Sequence, residues 1–266
     1  MTNTTYDILI IDDEEVIVNA IKMIAKFNEY TTASATNPEE ALRLLEETTF
    51  KLIITDIMMP EMDGFQFLDI INKKKIKTPV IMTTGYSTLE IAVQALNNGA
   101  IAFVPKPFTL EELTSVFVRG MEYVNIFNSI ALEGSDDNLL SIIPCPPKYS
   151  RLGFDSWMIE EFEGTVKIGV TDLFLNSVGN LDSIELLNAD ENINQGNTAL
   201  KITDSNENIH QVLAPISGKI INVNEKIIDN INLLAKDPYF DGWIYTVIPF
   251  SLESEIEKLT SCSSDI

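Results

Sequence analysis

The feature that most constrains this chain is a strict alternation along its first 130 residues. Short apolar runs at Asp7-Ile-Leu-Ile-Ile11, Lys51-Leu-Ile-Ile-Thr55, Pro79-Val-Ile-Met82 and Ala100-Ile-Ala-Phe-Val104, with a weaker one at Tyr30-Thr-Thr-Ala-Ser34, are separated by amphipathic stretches of helical period. Ile17, Ile21 and Ile24 mark one such helical face. Asn37-Pro38-Glu39-Glu40, Ser87-Thr-Leu-Glu90 and Thr109-Leu-Glu-Glu112 each place a capping side chain three residues before a Glu, which marks a helix start. Five strands alternating with five helices predict a parallel sheet covered on both faces. Such sheets bind ligands at the carboxyl ends of their strands.

The informative polar residues fall at those ends. Asp12 and Asp13 follow the first strand, Asp56 the third, Thr84 the fourth and Lys106 the fifth. Carboxylates converging on one point repel one another unless a cation sits among them. Oxygen-only donors suit a hard divalent ion such as Mg2+, which keeps several waters and accepts phosphate oxygens. A lysine ammonium beside them would neutralise an incoming phosphoryl group, and a threonine hydroxyl could hydrogen-bond to it. The set suits phosphoryl transfer onto a carboxylate.

In order along the chain, Asp12-Asp13, Thr55-Asp56-Ile-Met-Met-Pro60-Glu-Met-Asp63-Gly64, Thr84-Gly85 and Lys106-Pro107-Phe108 resemble the receiver-domain signature of bacterial response regulators over about the first 125 residues. The resemblance implies that Asp56 is the phosphoacceptor. It also implies that Asp13 binds Mg2+ directly, Asp12 assists through water, and the Met58 carbonyl is the third protein ligand. Lys106 would pair with the aspartyl phosphate, Thr84 would move as the switch with Phe103, and Lys106-Pro107 would be cis.

After residue 130 the pattern changes. Pro144-Cys-Pro146-Pro147 cannot form a regular helix and reads as a stiff extended connector. The expected organisation is a receiver over 1–128, a linker over 129–148 and a second domain over 149–266. The second half reads as mostly β, with strands such as Gly164–Gly169, Ser183–Leu187 and Lys219–Val223 between Asn-, Asp- and Gly-rich turns, and an amphipathic helix at Ser251–Leu259. Trp157, Val166-Lys-Ile-Gly-Val-Thr-Asp-Leu-Phe174, Ala214-Pro-Ile-Ser-Gly-Lys-Ile-Ile-Asn-Val-Asn-Glu225 and Leu234-Ala-Lys-Asp-Pro-Tyr-Phe-Asp-Gly-Trp-Ile-Tyr245 resemble the glycine cleavage H-protein. That implies a lipoyl-type barrel-sandwich hybrid of two packed sheets. In the family a hairpin-tip lysine about seven residues before the Ser/Ala-Pro pair carries lipoate. Here that position is Glu207, whose carboxylate cannot form the amide, so no bound cofactor is expected in this domain. Lys201 reads as a solvent-facing strand residue, and His210 as a chance surface residue.

Charge narrows the function. The net charge is −22, with 10 basic and 18 acidic side chains in residues 1–125 (net −8) and 8 and 22 in the remainder (net −14). DNA-binding effectors draw much of their affinity from Lys and Arg on phosphates, so an acidic second half argues against DNA as the partner. The N-terminus lacks a basic segment followed by an apolar stretch, and no apolar run is long enough to span a bilayer, so neither a signal peptide nor a membrane partner is expected. Cys145 and Cys262 are read as idle thiols of a cytoplasmic protein. The expected role is a response regulator rather than an enzyme, receiving phosphate from a histidine kinase and signalling to an unknown downstream protein through protein contacts. A homodimer through the receiver is admitted. The alternative is a phosphorylation-regulated lipoyl carrier, or a regulator of glycine cleavage or lipoate metabolism.

Overall fold

The computed structural model describes residues 5–132 and 142–265. The described residues form two compact units, one of residues 5–88 and 98–132, the other of 89–97 and 142–265.

The N-terminal alternation is β1 (Thr5–Ile11), α1 (Glu15–Phe27), β2 (Thr32–Ala35), α2 (Pro38–Glu47), β3 (Thr49–Asp56), α3 (Gly64–Lys73), β4 (Val80–Thr84), α4 (Leu89–Asn97), β5 (Ala102–Pro105) and α5 (Leu110–Leu132). The five strands make one parallel sheet in the order β2-β1-β3-β4-β5, the α/β architecture expected. Its central strands are apolar on both faces: Ile8 to Ile11, Leu52 to Ile54 and Val80 to Met82 are all buried, as a sheet covered on both sides requires. In α1, Val18, Ile21, Ile24 and Ala25 are the buried face, with Ile17 at its edge. Asn37 caps α2 by accepting from the Glu40 N–H, and Thr109 and Glu112 cap α5 reciprocally. Helix α4 groups with the second unit.

The second unit continues with β6 (Ser150–Leu152), β7 (Ser156–Glu160), β8 (Val166–Val170), α6 (Asp172–Val178), β9 (Leu181–Leu186), β10 (Asn192–Ile193), β11 (Thr198–Asp204), β12 (Ile209–Leu213), β13 (Gly218–Val223), α7 (Glu225–Asp229), α8 (Asn232–Lys236), β14 (Trp243–Pro249), α9 (Leu252–Ile256) and β15 (Thr260–Ser261). A seven-stranded antiparallel sheet (β10-β13-β14-β8-β7-β6-β15) accompanies a three-stranded one (β12-β11-β9). Leu200, Ile202, Val212, Ile220 and Val247 share one buried cluster drawn from both. Tyr245 ties the sheets together: its hydroxyl donates to the Ala199 carbonyl at 2.9 Å and accepts from the Leu187 N–H at 2.7 Å. Burial raises its phenol well above the ordinary tyrosine value. Trp157 is buried and donates to the Val170 and Pro238 carbonyls, and Gly169 leaves room for its ring, since a Cβ there would lie 2.3 Å from it.

Three expectations need correction. The amphipathic stretch Ser251–Leu259 is helical only over α9. The Glu255 carboxylate is drawn to the Ser217 N–H and hydroxyl, and the chain then turns extended so that Thr260 pairs with Arg151. His210 is not at the surface but 3% exposed, its Nε2 3.1 Å from Asp204 Oδ2. Cys145 and Cys262 are not idle thiols: they form a disulfide across a sequence separation of 117. Spacing carried no sign of it, because only the fold brings the connector beside the C-terminal segment.

Candidate functional site: a carboxylate and lysine cluster

At the carboxyl end of the parallel sheet, Asp56 is the last residue of β3 and Asp12 follows β1. Parallel pairing of β1 with both β2 and β3 brings these ends level, Ile11 lying opposite Thr55. Asp12 is 1% and Asp56 4% exposed. Lys106, just after β5, reaches across: its Nζ is 2.7 Å from Asp12 Oδ2, 2.9 Å from Asp56 Oδ1 and 3.6 Å from Glu14 Oε1. Its backbone N–H donates to the Thr84 carbonyl at 2.8 Å, which anchors the β5 end to the β4 end. The Lys106-Pro107 peptide is cis, as the resemblance implied.

The electrostatics follow from burial. Burial pushes the Asp12 carboxyl above its ordinary value and the Asp56 charge adds to the rise, while the Lys106 ammonium and the Glu14 N–H work against it. Burial would lower Lys106, but hydrogen bonds to Asp12 and Asp56 more than reverse it and hold the ammonium above its ordinary value. The cluster thus keeps one cation between two buried carboxylates.

The loop after Asp56 is built to the same point. Asp56 Oδ2 accepts from the Met58 N–H at 2.9 Å, and the Ile57 N–H donates to the Thr83 carbonyl. Asp63 caps α3 in a reciprocal box with Gln66, and the Gly64 N–H returns to the Ile57 carbonyl. Glycine is required at 64: a Cβ would stand 2.4 Å from the Asp56 carbonyl oxygen and 2.9 Å from Ile57 Cα.

The remaining expected residues are placed as follows. Thr84 ends β4, fully buried, its hydroxyl accepting from the Tyr86 N–H at 3.2 Å. Phe103 lies in β5, partly buried. Asp13 is exposed in the β1–α1 loop, and the Met58 side chain is exposed beside the Asp56 loop. Glu14, near Lys106, was missed because an acidic run at a helix start reads as a solvated face.

Among the described residues no group of three or more His, Cys, Asp and Glu side chains is gathered to hold a metal. The ligand set implied for Mg2+ needs only two side-chain carboxylates and a backbone carbonyl. Asp56 Oδ1 is buried, and among the described residues its partner is the Lys106 ammonium at 2.9 Å. That oxygen, with Asp13 and the Met58 carbonyl, would make up the all-oxygen donor set that a hard divalent cation takes.

In the second unit, Glu207 sits in the β11–β12 turn, exposed and with φ +66°. Asp204 organises that turn. Its Oδ1 accepts from the Asn206 and Asn208 N–H groups at 2.8 and 2.9 Å, and its Oδ2 from Asn208 Nδ2 at 2.9 Å, beside His210. Lys201 is paired on the outer strand face with Glu185 at 2.8 Å.

Residues 8–117 match the response regulator receiver domain family, and residues 149–264 match the glycine cleavage H-protein family. A receiver domain precedes an H-protein domain. The receiver is 36% identical over 115 residues to the regulatory protein AtoC of Escherichia coli K12, covering 43% of this chain and 25% of that protein. It is 37% identical over 122 residues to a response regulator described as NtrX-like from Rickettsia bellii, covering 45% and 26%. The chain therefore spans about a quarter of the length of these curated relatives. Among solved structures, the receiver domain of NtrX from Brucella abortus matches at 33% identity, TM-score 0.42, over 44% of this chain and 98% of that one. The glycine cleavage H protein from Mycobacterium marinum matches at 27% identity, TM-score 0.37, over 40% and 87%.

Proposed function

We propose that this protein is a cytoplasmic two-component response regulator, phosphorylated on Asp56 with Mg2+, whose H-protein domain serves as a non-lipoylated output module. The observation that carries the reading is Lys106 held between Asp12 and Asp56, two buried carboxylates at adjoining strand ends. An Asp56 oxygen attacks the phosphorus of a phosphohistidine on a histidine kinase. The P–O bond forms as the P–N bond breaks, and the imidazole leaves with the electron pair. Bound Mg2+ would offset phosphoryl charge from Asp13, Asp56 and the Met58 carbonyl. Lys106 pairs with the new phosphate, and the Thr84 hydroxyl, exchanging its Tyr86 N–H partner, follows with Phe103.

The output acts through protein contact rather than DNA, which the acidity of residues 126–266 supports. Glu207 at the lipoyl position supports a carrier fold without carrier chemistry, so neither domain is read as an enzyme in the usual sense. The test is phosphoryl incorporation from a small phosphodonor, with size-exclusion elution alongside. Incorporation at Asp56 with a changed elution volume supports a switch that controls self-association. Incorporation without the change moves the output to a downstream protein.

A further inference from the structure

We propose that Cys145 and Cys262 form a reversible thiol–disulfide switch that fastens or releases the connector leading into the H-protein domain. The proposal rests on the cytoplasmic reading above. In that compartment thiol reductants keep cysteines reduced, and a disulfide there is usually transient or redox-sensing rather than permanent.

The chain has only two cysteines, and the fold brings both to one place, their Cα atoms 5.6 Å apart. Their surroundings differ. Cys262 is fully buried in a cluster with Tyr149, Trp157 and Tyr239, whereas Cys145 is only partly buried at its edge. Each is also held differently without the bond. The segment carrying Cys262 stays in place through its own N–H to the Tyr149 carbonyl at 3.0 Å and through pairing of β15 with β6. Cys145 lies in Pro144-Cys-Pro-Pro147, where three prolines bring no N–H groups to a sheet. Among the described residues the connector's other hydrogen bonds include the Ile143 N–H to Asp172 Oδ2 at 2.7 Å and the Tyr149 N–H to the Pro146 carbonyl at 2.9 Å, with the Tyr149 hydroxyl donating to the Tyr239 carbonyl at 2.7 Å where the connector ends. Opening the bond therefore frees the connector and leaves the domain folded.

The chemistry is thiol–disulfide exchange with a low-molecular-weight disulfide. On oxidation, the Cys145 thiolate attacks that disulfide and expels one small thiol. The Cys262 thiolate then attacks the Cys145 mixed disulfide and expels the second. Two protein thiols and one small disulfide become one protein disulfide and two small thiols, two electrons passing to the small molecule. In reduction, an incoming small thiolate attacks the more exposed Cys145 sulfur, and Cys262 leaves as thiolate and takes up a proton. A second small thiolate then attacks the small-molecule sulfur of that mixed disulfide, so that Cys145 leaves as thiolate and one small disulfide is released.

The test uses the full chain equilibrated in glutathione mixtures from fully reduced to mostly oxidised. Samples are quenched with N-ethylmaleimide, weighed intact, and digested briefly with trypsin to follow cleavage at the exposed Lys148. The expected result is interconversion between a doubly alkylated form and an unalkylated one. Cleavage at Lys148 should be at least about tenfold faster in the reduced form, with the near-UV signal of buried Trp157 unchanged. Cys145→Ser should cleave like the reduced form. Free thiols throughout, equal cleavage in both forms, or loss of the tryptophan signal on reduction would each overturn the proposal, the last by making the bond a structural staple. The same samples given a phosphodonor report on Asp56. Failure there counts against the signalling reading and leaves the alkylation and cleavage results to be judged separately.

Discussion

The Lys106 ammonium stands 2.9 Å from Asp56 Oδ1, although one residue follows β5 and the other ends β3. It also holds Asp12 at 2.7 Å, so one cation serves two buried carboxylates. Removing it leaves both charges without their partner. Lys106→Met should cost about 3–5 kcal/mol of stability, and millimolar Mg2+ should recover part of that loss; urea unfolding with and without the ion measures both. The sign for pH follows from the raised Lys106 value. Its contribution is complete below the ordinary lysine value of about 10.4 and is lost as pH climbs through the higher folded value.

Gly64 is a second sensitive point. Its missing Cβ keeps the α3 start against the Asp56 carbonyl, and any side chain must push that loop away. Gly64→Ala should cost about 1–3 kcal/mol and slow phosphorylation of Asp56 more than the stability loss explains. Initial rates of phosphoryl incorporation, measured where the variant is fully folded, check this.

Asp204 controls the hairpin that carries Glu207. Burial would raise this carboxyl, but hydrogen bonds from Asn208, His210 and Asn206 together outweigh it and hold the group below its ordinary value. A lowered carboxyl contributes stability that is present above the unfolded value of about 3.9 and lost as pH falls through the folded one. Asp204→Ala should cost about 1–3 kcal/mol at neutral pH and flatten the acid limb of the stability profile. Denaturant midpoints between pH 2 and 7 read both effects.

Glu207 bears on the alternative reading as a lipoyl carrier. Wild type incubated with lipoate and a lipoate-attaching enzyme should gain no mass. Glu207→Lys should accept one lipoyl group if the turn still presents the position as the family does. A lipoyl adduct on wild type would restore the carrier reading.

Much of the receiver was legible because its signals are local. Continuous apolar runs and period-3.6 stretches gave strand and helix order, and the β–α connections place residues that follow strands at one end of a parallel sheet. Asp12, Asp56, Thr84 and Lys106 could be placed in this way, and Lys106 meets both carboxylates as that logic requires. The H-protein domain was legible from its Trp157 and Asp237-Pro-Tyr … Gly242-Trp segments rather than from periodicity, since its strands are short and broken by bulges. What escaped depended on long-range closure. His210 appeared exposed because the residue it packs beside, Asp204, belongs to the other arm of a hairpin whose turn chemistry was not resolved from sequence. The Cys145–Cys262 bond could not be read from spacing, because 117 residues of folded chain bring its ends together.

The central claim is that Asp56 accepts phosphate. The most direct measurement is the intact mass of wild type and Asp56→Ala after incubation with Mg2+ and a small phosphodonor. One added phosphoryl group on wild type and none on Asp56→Ala is the predicted result. An unmodified wild type, or an equal adduct on both proteins, would contradict it.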